Sequence, residues 1–214
     1  MTMPSRDGID VSHYQNDAGG GGPGAINWAQ VHGAGAKFVF VKISDKTSAD
    51  AFAVGNVGKA RAAGLLVGGY HFLRNTASGA AQAAVFLSTV PFQAGDLVPV
   101  LDIELIPSTA AARAAYVQRA RDWVAAVRSA HGGRWPFLYT RRDIWAALGN
   151  PAGFGSCPLW LARYASAPPQ IPSGWSDYAI WQFSDQGAIA GITGHVDENH
   201  LTMPFSKFRA DYSL

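Results

Sequence analysis

The chain has a single cysteine in 214 residues, and Asp, Glu, Lys and Arg together make up only 15% of it. With Cys157 alone, neither an internal disulfide nor a C-x-x-C metal knuckle can form. No run of about 18 uncharged apolar residues occurs, so no membrane-spanning helix is expected. The opening Met1-Thr2-Met3-Pro4-Ser5-Arg6-Asp7-Gly8 lacks an apolar h-region, so no secretory signal is expected. A formal net charge of +2 is too mild a bias to argue for nucleic acid. There is no G-x-S-x-G elbow, and Gly19–Gly24 does not follow a Walker or dinucleotide glycine pattern. No His-x-His or His-Glu-x-x-His pair exists, which weighs against a metal centre. Even so, His13, His71 and His195 lie near strand ends and leave an Asp/His hydrolytic site open as a reading.

What the chain does have is apolar content, 48% by residue, which fills one core and excludes general disorder. Short apolar runs read as strands at Gly8–Val11, Lys37–Ile43, Leu65–Phe72, Leu97–Ile103, Pro136–Thr140, Leu159–Tyr164, Tyr178–Phe183 and Gly194–Asp197. Most are apolar at nearly every position, as in strands of a parallel sheet buried on both faces. Helical windows separate the first of them: Ile26–Ala34, Ala49–Ala63, Ser78–Thr89, Ser108–Ala130 with Ser108 as cap, and Arg142–Leu148. Later connections are Pro/Gly/Ser-rich loops. The expectation is an α/β fold: five β/α units followed by three strands, closed as a barrel, with an open doubly wound sheet as the alternative. Residues 1–214 read as a single domain, with 1–7 a loose N-terminal extension.

Because charge is scarce, acids within apolar strands stand out. Asp102 and Glu104, in Val98-Pro99-Val100-Leu101-Asp102-Ile103-Glu104, are two apart and so share a face, about 6–7 Å apart at Cα. In a barrel that face is the interior and Ile103 points outward; the C-terminal mouth is where such folds carry active sites. Two carboxyls in an apolar mouth cannot both ionise easily, which yields a proton donor beside an anion. Asp10 ends the first run and Asp197 the last, and barrel closure would make those strands neighbours. Paired carboxyls suit glycoside hydrolysis. Aromatic residues in the strand-like runs, Tyr70, Phe72, Tyr139, Trp160, Tyr164, Trp181 and Phe183, offer faces on which sugar C–H surfaces stack. Each of them would equally serve as core. A non-catalytic wall-binding barrel and a metal-dependent polysaccharide deacetylase are the competing functions.

The order of these segments resembles glycoside hydrolase family 25 (GH25), the Chalaropsis-type lysozymes or N-acetylmuramidases of bacteria, fungi and phages. The resemblance rests on Asp10-Val11-Ser12-His13-Tyr14-Gln15, Phe38-Val39-Phe40-Val41-Lys42, Gly68-Gly69-Tyr70-His71-Phe72 and Leu101-Asp102-Ile103-Glu104. It continues through Leu138-Tyr139-Thr140, Leu159-Trp160-Leu161-Ala162-Arg163-Tyr164, Ile180-Trp181-Gln182-Phe183-Ser184 and Val196-Asp197. It implies a flattened TIM-like barrel and cleavage of the β-1,4 bond between N-acetylmuramic acid and N-acetylglucosamine in bacterial peptidoglycan. It implies no cofactor and no metal, no nucleic-acid or membrane partner, and action as a monomer. By position Glu104 looks like the general acid/base, and Asp102 like the group that steadies the N-acetyl group or the developing positive charge. Asp10 and Asp197 look like the other acids of the site, and Tyr70, Tyr139 and Trp181 like sugar contacts; Gln182, Phe72, Trp160 and Tyr164 are counted with the substrate-binding residues. With no secretory signal expected, the resemblance points to a phage endolysin held in the host cytoplasm until lysis, or to a catalytic domain of a longer lysin. The sequence departs from the family at Lys42-Ile43-Ser44-Asp45-Lys46, where Lys-Ala-Thr-Glu-Gly is usual, so a contact is expected to be lost or remade by the shorter Asp45. The loop Asn16–Gly24 reads as longer and richer in glycine than usual.

Overall fold

Strand and helix alternate around a closed barrel in the computed structural model, which describes residues 4–16 and 25–214. The glycine-rich loop expected over 16–24 falls, from residue 17 on, outside the described residues. The strands are β1 (Gly8–Val11), β2 (Phe38–Asp45), β3 (Ser48–Ala49), β4 (Leu66–Phe72), β5 (Val100–Asp102), β6 (Phe137–Arg141), β7 (Leu159–Ala162), β8 (Ile180–Gly187) and β9 (Val196–Leu201). The helices are α1 (His13–Asn16), α2 (Trp28–Gly33), α3 (Ala53–Ala62), α4 (Gly79–Thr89), α5 (Ala110–Ala130), α6 (Arg142–Ala147) and α7 (Phe205–Tyr212). The sheet runs β1-β9-β8-β7-β6-β5-β4-β2-β3, and β1 also pairs with β2, which closes the ring of eight and excludes the open sheet. All barrel pairings are parallel except β8–β9 and β9–β1.

Side-chain alternation sorts the core into two layers. Phe38, Phe40, Val100, Phe137, Tyr139 and Trp160 fill the barrel. Val39, Val41, Ile43, Leu101, Ile103 and Leu138 point the other way, into the layer beneath the helices that holds Phe86, Tyr116, Trp123 and Trp145. Room inside is made by glycine: a Cβ at Gly8 or Gly68 would collide with the rings of Phe38 or Phe40. The floor is sealed by α7, whose Phe208 is fully buried against Phe38 and Phe137, with ring centroids at 5.2 and 6.2 Å. Each such ring contributes about 1.5–3 kcal/mol by burial.

Several expectations change. The last strand is not Gly194–Asp197 ending at the acid; it is β9, which begins at Val196 and runs antiparallel to its neighbours. The helix expected from Ala49 starts at Ala53, because Ser48–Ala49 folds back on Ser44–Asp45 as a short hairpin around Lys46, whose φ is 58°. Thr109, not Ser108, caps α5, its hydroxyl accepting from Ala112 N at 3.1 Å. Helices α1 and α7 were not anticipated. Nor does the loose N-terminal stretch reach residue 7. Asp7 is buried, pairs with Lys37 at 2.6 Å and accepts from Leu201 N, while Arg6 binds Glu198 at 2.6 Å.

Candidate active site

The parallel strands end at one mouth, and β9, running the other way, starts there. Asp10 on β1 and Asp197 on β9 are direct partners in register. Asp102 ends β5 in register with Phe72 and Tyr139 of the flanking strands, and Glu104 follows two residues on. The four acids line one hollow of about 270 Å³ together with Tyr70, Phe72, Tyr139, Trp160, Tyr164 and Gln182.

The acids form two proton-sharing pairs. Asp102, 4% exposed, is hydrogen-bonded to Glu104. Burial raises both carboxyls above their ordinary values, and Asp102 is lifted further by the charge of Glu104. Two neighbouring carboxyls raised in this way titrate as one proton-sharing pair, which places a proton donor beside an anion. Asp102 Oδ1 is buried without a hydrogen-bond partner among the described residues. In the second pair, burial and then the charge of Asp10 push Asp197 up to about 9. Asp197 thus donates to Asp10, which also accepts from Gln182 Nε2 (2.9 Å) and Asn199 Nδ2 (2.8 Å). Burial still raises Asp10, although these three donors favour its anion.

The walls divide into support and contact. Gln182 is buried, and its Oε1 accepts from Tyr139 (2.6 Å) and Tyr164 (3.1 Å). Trp160 is buried too, stacked on Phe40 at 4.8 Å and donating to Asn199 Oδ1 at 2.8 Å. Tyr164, 48% exposed, and the half-buried Tyr70 and Phe72 offer the open surfaces. Burial and the charges of Asp10, Asp102 and Asp197 hold the Tyr70 phenol far above its usual range, so it stays a neutral donor. Trp181 does not join them. It alternates with the inward Ile180 and Gln182, is buried, and donates to Arg163 O at 2.8 Å. Phe183 shares the outward parity of Trp181 and packs edge-on against it at 6.1 Å.

At the departure from the family pattern, Asp45 is held by two cations. Asp45 takes Arg74 bidentately at 2.7 and 2.7 Å and Lys42 at 3.3 Å, and Arg74 lies 4.2 Å over the Phe72 ring. The histidines are committed separately. His71 sits between Ser44 (2.8 Å) and Gln82 (3.1 Å), lowered by burial to about 4. His13 Nδ1 lies 3.1 Å from Asp50. Among the described residues no group of three or more His, Cys, Asp or Glu is arranged to hold a metal.

Sequence reasoning missed Asn199, Lys42 and Arg74. Asn199 had a signal, since it stands two beyond Asp197 and so shares its face. Lys42 had one as well, being a cation in the middle of an apolar strand with the parity of Phe38 and Phe40; Arg74 had none. Ser12, Tyr14 and Gln15, which also line the hollow, stand in the matched opening segment but were assigned no role.

The model of the "Glycosyl hydrolases family 25" matches residues 9–192. The chain is 36% identical over 212 residues to the N,O-diacetylmuramidase of Chalaropsis sp, covering 89% of this chain and 95% of that protein. It is 34% identical over 203 residues to lysozyme M1 of Streptomyces globisporus, covering 90% of this chain and 66% of that one. In three dimensions it is similar to the bacterial lysozyme from Streptomyces coelicolor, with a TM-score of 0.84 at 32% identity over 96% of this chain and 95% of the other. The closed barrel, the acid-lined mouth and these likenesses agree: the chain belongs to family 25 of the glycosyl hydrolases.

Proposed function

We propose that this glycoside hydrolase cleaves the β-1,4 bond between N-acetylmuramic acid and N-acetylglucosamine in bacterial peptidoglycan, with retention and with help from the substrate's own acetamido group. The observation that carries the reading is the hydrogen-bonded Asp102–Glu104 pair on the floor of the hollow. Inverting enzymes separate their carboxyls by about 6.5–9.5 Å to seat a water between acid and base. A pair in hydrogen-bond contact has no such gap.

Glu104, the less buried of the two, reaches the glycosidic oxygen. The shared proton passes through Glu104 to that oxygen as the bond to the anomeric carbon breaks, leaving both carboxyls as anions. The acetamido oxygen bonds to the same carbon from the opposite face. Asp102, now an anion, faces the positive ring so formed. Glu104 then takes a proton from water as the water oxygen bonds to the anomeric carbon and the acetamido oxygen leaves, which restores the pair. Asp10, held by Gln182, Asn199 and Asp197, adds a fixed negative charge beside this centre.

The test is release of new reducing ends from purified walls, followed by proton NMR from the first seconds of reaction. A β-anomer formed first is expected. An α-anomer formed first would overturn the mechanism, and absence of reducing ends would overturn the activity.

A further inference from the structure

Beside the catalytic hollow, and sharing Tyr164 with it, lies a second cleft of about 530 Å³ that the mechanism does not use. Its walls hold Arg141, Arg142 and Arg163 against a single carboxylate, Asp143. Arg141 is engaged with Asp143 at 3.0 and 2.8 Å. Arg163 spends one N–H on Pro168 O at 2.7 Å. Its backbone is pinned on both sides, N donating to Gln182 O at 2.9 Å and O accepting from Trp181 at 2.8 Å. Trp181, the aromatic that failed to reach the hollow, thus fixes an arginine of the cleft. Arg142 has no ion-pair partner among the described residues.

We propose that this cleft binds the carboxylates of the stem peptide carried by the muramic acid residue whose bond is cut, and so makes the enzyme favour peptide-bearing glycan. The inference rests on the muramidase reading above. A guanidinium matches a carboxylate fork with two parallel N–H donors. The peptide is tethered to the very sugar in the hollow, and three extended residues span about 10 Å, the reach of a neighbouring cleft. Tethering makes its arrival intramolecular, which favours it over a wall phosphate polymer attached elsewhere. The charge of Arg141 is also felt by Glu104, which it holds lower than burial alone would leave it, so the two sites are electrically adjacent.

The experiment compares kcat/KM on a glycan bearing stem peptides with the same glycan stripped of them by an amidase, for the natural chain and for Arg142→Gln with Arg163→Gln. The natural chain is expected to favour the peptide-bearing glycan about tenfold, mostly through KM, as charge-assisted hydrogen bonds at exposed positions allow. The ratio should fall towards one in the double variant and in about 1 M salt, where the screening length is roughly 3 Å. Arg142→Lys with Arg163→Lys should restore part of it. A ratio that the glutamine variant leaves unchanged overturns the proposal. So does a preference that follows wall phosphate polymer, read by comparing walls with that polymer chemically removed. Absence of reducing ends from both glycans with the natural chain would instead sink the muramidase reading, a separate result. Thermal melting of each variant reports folding, and both arginines are exposed.

Discussion

Replacing Asp197 by asparagine is expected to stabilise the protein at neutral pH. The carboxyl ionises near 3.8 in the unfolded chain, whereas burial and Asp10 lift it to about 9 in the folded one. A group raised in this way contributes its full stability below the unfolded value and loses it as pH rises through the folded value. At pH 7 folding must therefore draw a proton onto Asp197. With about 1.4 kcal/mol for each pH unit above the unfolded value, the cost approaches roughly 4 kcal/mol. An asparagine amide still donates to Asp10 and has no proton to acquire. Allowing for a less favourable hydrogen bond, a gain of about 2–4 kcal/mol is expected, or roughly 5–10 °C in Tm for a chain of this size. Stability between about pH 5 and 8 should also lose a slope of about 1.4 kcal/mol per unit. Urea and thermal unfolding across that range read both quantities. A lower Tm at pH 7 with an unchanged slope would show that Asp197 is ionised when folded, and the two-pair account of the site would fail.

Glu104→Gln should lower the rate of reducing-end release about 10²–10⁴-fold while the melting temperature does not fall; a variant near full activity refutes the acid/base assignment. Asn199→Ala removes a donor to Asp10 and orphans the Trp160 indole N–H, so urea unfolding should register a loss of about 2–4 kcal/mol. The pH–rate profile should be bell-shaped and displaced towards neutrality. Burial raises Asp10, which must be ionised, and also the Asp102–Glu104 pair, which must hold its proton; an alkaline limb at the ordinary carboxylate value would contradict the shared proton.

Much of the fold was legible because parallel strands buried on both faces read as short apolar runs. The i, i+2 spacing of Asp102 and Glu104 fixed their common face without coordinates. The end of the chain was harder to read. Leu201 closes a strand whose Glu198 and His200 look unlike the other strands, since an antiparallel strand with its outer face partly on solvent keeps polar residues there, while Asp197 and Asn199 face inward, towards the hollow and Asp10. Helix α7 was overlooked because its apolar anchors, Phe205 and Phe208, are sparse among charges, and its burial comes only from plugging the barrel floor. Trp181 was misplaced for a simpler reason: aromatic character does not say which face of a strand a ring occupies.

The amino-acid sequence by itself determined the α/β alternation and marked four acids as candidates, because local periodicity and residue chemistry are properties of neighbours along the chain. Tertiary structure alone closed the barrel and decided how the carboxyls pair and how they are raised. That depends on burial and on partners such as Asn199, which lies 189 residues from Asp10. It also decided which aromatics face the hollow and that Arg141, Arg142 and Arg163 gather beside it. Charge is felt through space, and the folding of the chain sets those distances.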